Sequence, residues 1–177
     1  MIESCYWKED LARIAKTIAR VPNPRRWSER SHCIVERDLM IGFFILRRLI
    51  ELKKVSTAIS DRLLTIYSYQ SLGKPVTQMN ASSIHDLYDV ENEVQECKRP
   101  TYISNQFVHA YTSFVYRDET RNWSDVLIVS DFDRNNCIWR VPVQAIYDLL
   151  LDASTDYPHI AHFTFDSKKN DYVITVN

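Results

Sequence analysis

Residues 113–141, SFVYRDETRNWSDVLIVSDFDRNNCIWRV, decide the fold class. Three short runs, 113–117, 125–130 and 136–141, are rich in β-branched and aromatic residues, and polar segments divide them. Such runs read as antiparallel strands joined by turns. Asn135 and Asn136 supply the left-handed backbone that a tight turn uses. In Val126-Leu-Ile-Val129 both alternate faces are apolar, so this strand is expected in the interior of the sheet, covered on two sides.

Upstream the period changes. Residues 7–20 place Trp7, Leu11, Ile14, Ala15 and Ile18 on one helical face, and Val21-Pro-Asn-Pro24 stops that helix. Residues 31–54 read as one long helix of roughly 36 Å at 1.5 Å per residue. Its middle, residues 39–46, is apolar all round and predicts a central helix packed on several sides. Gly42 costs about 1 kcal/mol there, which a close crossing by another element would explain. Ser56 caps a short helix, and residues 65–70 read as extended. Residues 101–112 read as a helix with a polar stripe of Asn105, His109 and Thr112 beside Ile103, Phe107 and Tyr111.

Downstream, Pro142 suits the first position of a helix running to about Ala153. The chain closes with a hairpin, 159–166 and 172–176, around Ser167-Lys-Lys-Asn170. Ala161, Phe163 and Phe165 share one face, and Tyr172, Ile174 and Val176 share one face of the partner strand. The expectation is therefore α+β: a helical N-terminal half with a long central helix, and an antiparallel sheet in the C-terminal half. No Gly/Ser/Pro-rich linker divides the 177 residues, so a single domain is expected over 1–177.

Composition excludes more than it assigns. With only Gly42 and Gly73, neither a phosphate-binding P-loop nor a dinucleotide-binding turn can be built. There is no GxSxG elbow and no HExxH helix. Cys5, Cys33, Cys97 and Cys137 lack zinc spacing and read as reduced, mostly buried thiols. No metal and no cofactor is expected. Charges throughout the first twenty residues leave no secretory hydrophobic segment. The apolar run 39–46 falls short of the about 20 residues that span a membrane. A soluble, cytoplasmic protein without a membrane partner is the expectation. Residues 1–54 hold 12 Lys and Arg against 7 Asp and Glu, and the remainder 10 against 16. That asymmetry suits either a basic layer packed on an acidic one or a nucleic-acid face.

Two groups of residues carry candidate chemistry. His109 can exchange a proton near neutral pH, with Asn105 one turn away to orient it. Arg25, Arg26 and Arg30 around Trp27 form a guanidinium cluster with an aromatic, the combination that grips single-stranded nucleic acid. Arg47 and Arg48 lie near the end of the long helix, where cations suit the helix dipole and Arg47 can pair with Glu51. His32 and Glu36 are one helical turn apart, and Asp131 and Asp133 flank Phe132.

Asn105-Gln-Phe-Val-His109 resembles the Arg-Asn-x-x-x-His helix of HEPN-type ribonucleases. That superfamily is helical and common in bacterial toxin and defence systems, and its Arg and His act on the RNA backbone, usually across a dimer. Here Ser104 stands where the arginine is expected, which removes the cation that would stabilise charge on phosphate. By the resemblance, His109 would be acid or base, Asn105 the orienter, and Arg47 or Arg48 the replacement cation. Residues 43–51, Leu87-Tyr-Asp89 and residues 105–109 also resemble an uncharacterised family of small bacterial proteins.

The sequence thus supports a non-catalytic interaction module first, a subunit of a bacterial multi-protein, defence- or toxin-type system with a protein partner or a second copy. The alternatives are a degenerate HEPN-like ribonuclease and a single-stranded nucleic-acid binder.

Overall fold

The computed structural model describes residues 3–24, 26, 28–168 and 170–177. Helix α1, Ser4–Ile18, buries Leu11, Ile14, Ala15 and Ile18, the stripe that its period predicts. Helix α2, Glu29–Glu51, begins where the Ser28 side chain accepts a hydrogen bond from Ser31 N. Ser56 caps the one-turn α3, Thr57–Ser60, in the same way through Ile59 N. Strand β1, Leu64–Gln70, follows, then the short α4, Ile84–Leu87, and β2, Val94–Lys98.

Helix α5, Pro100–Val108, is shorter than the sequence predicts. His109 leaves helical geometry at φ −109°, ψ 28°, and β3, Ala110–Arg117, begins at once. Tyr-Thr-Ser-Phe-Val-Tyr gains more by pairing with a neighbouring strand than by extending a helix. Thr112 therefore sits opposite Val129, and the expected polar stripe is cut to Asn105 and His109. Strands β4, Trp123–Ser130, and β5, Cys137–Pro142, complete the predicted series. Pro142 ends β5 and caps α6, Val143–Thr155, rather than occupying its first turn.

The sheet is antiparallel throughout, in the order β2-β1-β5-β4-β3. The interior strand β4 has both faces buried, as its sequence predicts. Val126 and Ile128 meet the helices, while Leu127 and Val129 meet a smaller cluster with Val76, Ile84, Leu87 and Tyr88. Ile14, Leu39, Phe43, Val126, Trp139 and Leu150 belong to one core, so helices and sheet are joined by packing as well as by sequence. A Cβ at Gly42 would stand 3.3 Å from Ile14 Cγ2 and 3.4 Å from Leu150 Cδ1. The glycine is the place where α1 and α6 cross α2.

Strands β6, Ala161–Asp166, and β7, Asp171–Val176, pair only with each other. Their register sets Ala161 opposite Val176, Phe163 opposite Ile174, and Phe165 opposite Tyr172, so one face of the ribbon is apolar end to end. At its base Val176 N donates to Thr57 Oγ1 and Val176 is buried. Of the cysteines only Cys137 is buried. Cys33 and Cys97 are exposed, because they fall on the outer face of α2 and on the edge strand β2, against the expectation of mostly buried thiols.

No helix among the described residues is long and apolar enough to cross a membrane.

Candidate functional site

Phe43 of α2 and Phe107 of α5 stack with ring centroids 4.0 Å apart and planes 13° from parallel. That contact sets the register between the two helices. One turn beyond Phe43 on α2 lies Arg47, and two residues beyond Phe107 lies His109. Arg47 Nη1 stands 3.3 Å from His109 Nε2. A guanidinium has only donors, so a hydrogen bond across this contact runs from Arg47 to Nε2 as acceptor.

The pair opens onto a cleft of about 310 Å³ that Asn105 also lines. The structure thus brings together three of the four candidate catalytic residues. Arg48 is the exception: its Nη1 donates to Glu51 Oε2 at 2.5 Å, and it does not line the cleft. Glu51 also accepts from Arg47 Nε at 2.9 Å. Burial pushes the Glu51 carboxyl up, and the hydrogen bonds from Arg47 and Arg48 outweigh it, leaving it below the usual range.

The floor of the cleft consists of residues that the sequence does not connect. Gln106 Oε1 accepts from Ser130 N at 3.0 Å, and its Nε2 donates to Asp133 Oδ2 at 2.7 Å. Tyr102 Oη donates to the same carboxylate oxygen at 3.1 Å. Burial first, then the neighbouring Asp133, raise the Tyr102 pKa, so its hydroxyl keeps its proton near neutrality. Asp131 N donates to His109 O at 3.1 Å, which ties the end of α5 to the turn after β4. Phe132, 88% exposed, stands at the rim. Asn105 Oδ1 and Ser104 Oγ are buried without a hydrogen-bond partner among the described residues. The signal for this floor was the Asp131-Phe-Asp133 pair, but nothing in its spacing tells that Gln106 would reach it.

Chemically the cleft offers one exposed imidazole, one guanidinium beside it and a fixed carboxylate. The carboxylate is occupied by two donors. His109 can serve as a base only when Arg47 moves or takes up another acceptor, such as a phosphate oxygen. The remaining carboxylates and imidazoles are scattered: among the described residues no three His, Cys, Asp or Glu side chains gather closely enough to hold a metal ion.

The candidate nucleic-acid residues divide. Arg25 and Trp27 lie outside the described residues. Arg30 is exposed on the first turn of α2. Arg26 lines a cavity of about 650 Å³ together with His32, Arg117, Arg121 and Trp123. The last three come from β3, β4 and the turn between them, a junction that separation in sequence conceals. Glu36 Oε1 accepts from Ser113 Oγ at 2.5 Å, and the His32 ring stands edge-on to Trp123.

No family model, no curated protein and no solved structure matches this chain.

Proposed function

We propose that this chain is a non-catalytic interaction module, a subunit that associates through the apolar face of its C-terminal ribbon. The observation that carries the reading is the exposure of that face: Phe163 at 63%, Tyr172 at 58% and Phe165 at 53%. A two-stranded ribbon on its own is marginally stable in water, and contiguous exposed apolar surface marks a site of association. Light scattering on the purified chain tests it. A mass above 20.9 kDa is expected for wild type, and a monomer of that mass for Phe163→Asp with unchanged far-UV circular dichroism. A wild-type monomer whose solubility and mass the substitution leaves alone would overturn the reading.

A second reading is supported by the 3.3 Å approach of Arg47 to His109 in an open cleft. A degenerate HEPN-like ribonuclease would use His109 as the acid or base, Asn105 to orient it and Arg47 as the cation that Ser104 does not provide. Labelled structured RNA incubated with wild type, His109→Ala and Arg47→Ala separates the two readings. Cleavage that each substitution lowers by about 10²-fold or more supports catalysis. Absence of cleavage by wild type removes it.

A further inference from the structure

Strand alternation decides what the far side of the main sheet carries. Asp125, Leu127 and Val129 share one face of β4, turned away from the helices that Val126 and Ile128 meet. On the same face the register sets Tyr116 opposite Asp125 and Arg140 opposite Leu127, with Tyr67 opposite Arg140 in turn. The 76–88 connection covers Leu127, Val129 and Ile138 through Val76, Ile84, Leu87 and Tyr88. Beside that cover, toward Asp125, a cavity of about 400 Å³ remains. Its volume lies in the range of small-molecule pockets, and Ile84, Val90 and Leu127 with the rings of Tyr69 and Tyr116 form most of its wall.

The charge at this site does not cancel. Arg140 donates from Nη1 to Asp125 Oδ1 at 2.6 Å, and from Nε and Nη2 to the two oxygens of Glu93 at 2.7 and 2.9 Å. One guanidinium is thus held by two carboxylates, and the bidentate partner fixes it in place. Asp125 lines the cavity, and its Oδ2 accepts no hydrogen bond from the described residues. Ser82, at the exposed rim, makes no side-chain hydrogen bond with them either. Behind the rim, residues 85–96 carry Asp86, Asp89, Glu91, Glu93 and Glu96 and neither Lys nor Arg, so the surrounding field is negative. An anion would meet that field with Arg140 already engaged. A neutral apolar guest would cover Asp125 without offering it a donor, which is costly.

We propose that this cavity binds a small organic cation, with a primary ammonium donating to Asp125 Oδ2 and an aromatic or aliphatic body filling the space among Tyr116, Ile84 and Leu127. An ammonium has three donors and no acceptor, which suits a carboxylate oxygen beside the Ser82 hydroxyl. Tyrosine rings in the wall add their own attraction for a cation. The site shares no residue with the C-terminal ribbon or the His109 cleft, so it is independent of both functional readings.

Amide chemical shifts of isotope-labelled protein, titrated with phenethylamine, phenethyl alcohol and phenylpropionate, test the site and its charge together. The amine is expected to shift amides around Ile84, Asp125 and Leu127, and the alcohol and the acid to bind about tenfold more weakly or worse. Asp125→Asn keeps the shape and is expected to weaken the amine about tenfold or more while leaving the alcohol unchanged. Ser82→Lys puts a competing cation at the rim and is expected to weaken the amine about threefold or more at low salt. Thr101→Lys adds the same charge on exposed α5, behind the sheet, and should bind as wild type. No shifts with millimolar amine would overturn the proposal, as would an alcohol or acid that binds as tightly. Wild-type affinity in both Asp125→Asn and Ser82→Lys, or an equal loss in Thr101→Lys, would overturn it too. If Asp125→Asn does not fold, Ser82→Lys and the three ligands decide, because a lysine at an exposed position of the connection leaves the core untouched.

Discussion

Two hairpins of this molecule are written in the same local code and end in opposite environments. In β3–β4, the residues Val126 to Val129 are at most 8% exposed. In β6–β7, Phe163 and Tyr172 remain more than half exposed, although their alternation is the cleaner of the two. Strand formation follows from β-branched and aromatic residues at a period of two, while burial depends on what else the chain can lay over each face. The first hairpin receives helices on one side and the 76–88 connection on the other. The second is held at its base by Thr57 and receives no such cover from the described residues. The difference separates a hairpin that makes the fold from one that is available for association.

The largest effect that sharpens this contrast is expected at Ile128, fully buried in the main core. Ile128→Ala should lower unfolding stability by about 2–5 kcal/mol, because the removed methyl groups leave a cavity among rigid neighbours. A urea titration measures it, and a loss below 1 kcal/mol would mean that the core around β4 is loosely packed. Next comes Gly42→Ala. Alanine gains about 1 kcal/mol of helix propensity. Its methyl group must fit against Ile14 and Leu150, both fully buried, and overpacking costs about 1–3 kcal/mol. A net loss of about 1 kcal/mol is expected, and a gain would show that α1 and α6 can give way.

The fold class was legible because hydrophobic period is a local property. The length of α2, the interior position of β4 and the shared apolar face of β6–β7 all follow from it. The end of α5 was not legible, since Tyr111 and Thr112 fit a helix by spacing and a strand by composition. Pairing with β4 decides between them, and that is a tertiary fact. The candidate cleft was legible in its parts, His109, Asn105 and Arg47. Their meeting depends on the Phe43–Phe107 stack, which brings two helices distant in sequence into register. The Gln106–Asp133 floor and the Glu93–Arg140 pair were hidden for the same reason: each joins segments whose proximity only the packed sheet creates.

Acid should act on the main sheet through Glu93. Hydrogen bonding from Arg140 holds its carboxyl below the usual range, against a smaller upward push from burial and with help from Tyr69. A carboxyl lowered in the folded state contributes stability above its unfolded pKa of 4.5, and that contribution is lost as pH falls through the folded value. The pair is partly solvated, so the effect is under about 1 kcal/mol. Melting curves for wild type and Arg140→Met should therefore draw together as pH falls from 4.5 through the folded value. If they stay as far apart as at neutral pH, the Arg140–Glu93 bond is not what sets the difference.

The smallest effect on the isolated fold is expected at Phe163, and it is the one that can break the comparison. In dilute solution Phe163→Ala loses only its cross-strand contact with Ile174, about 0.2–1 kcal/mol. If the ribbon is the surface of association, wild type gains stability by mass action as protein concentration rises, and the variant does not. The gap between their melting temperatures should then widen with concentration. A gap as large as that of Ile128→Ala at every concentration would place Phe163 in a covered core and make the two hairpins alike. A small gap that never widens would leave the ribbon exposed and unpartnered by its own kind, so that its apolar face would have to be explained by a different protein.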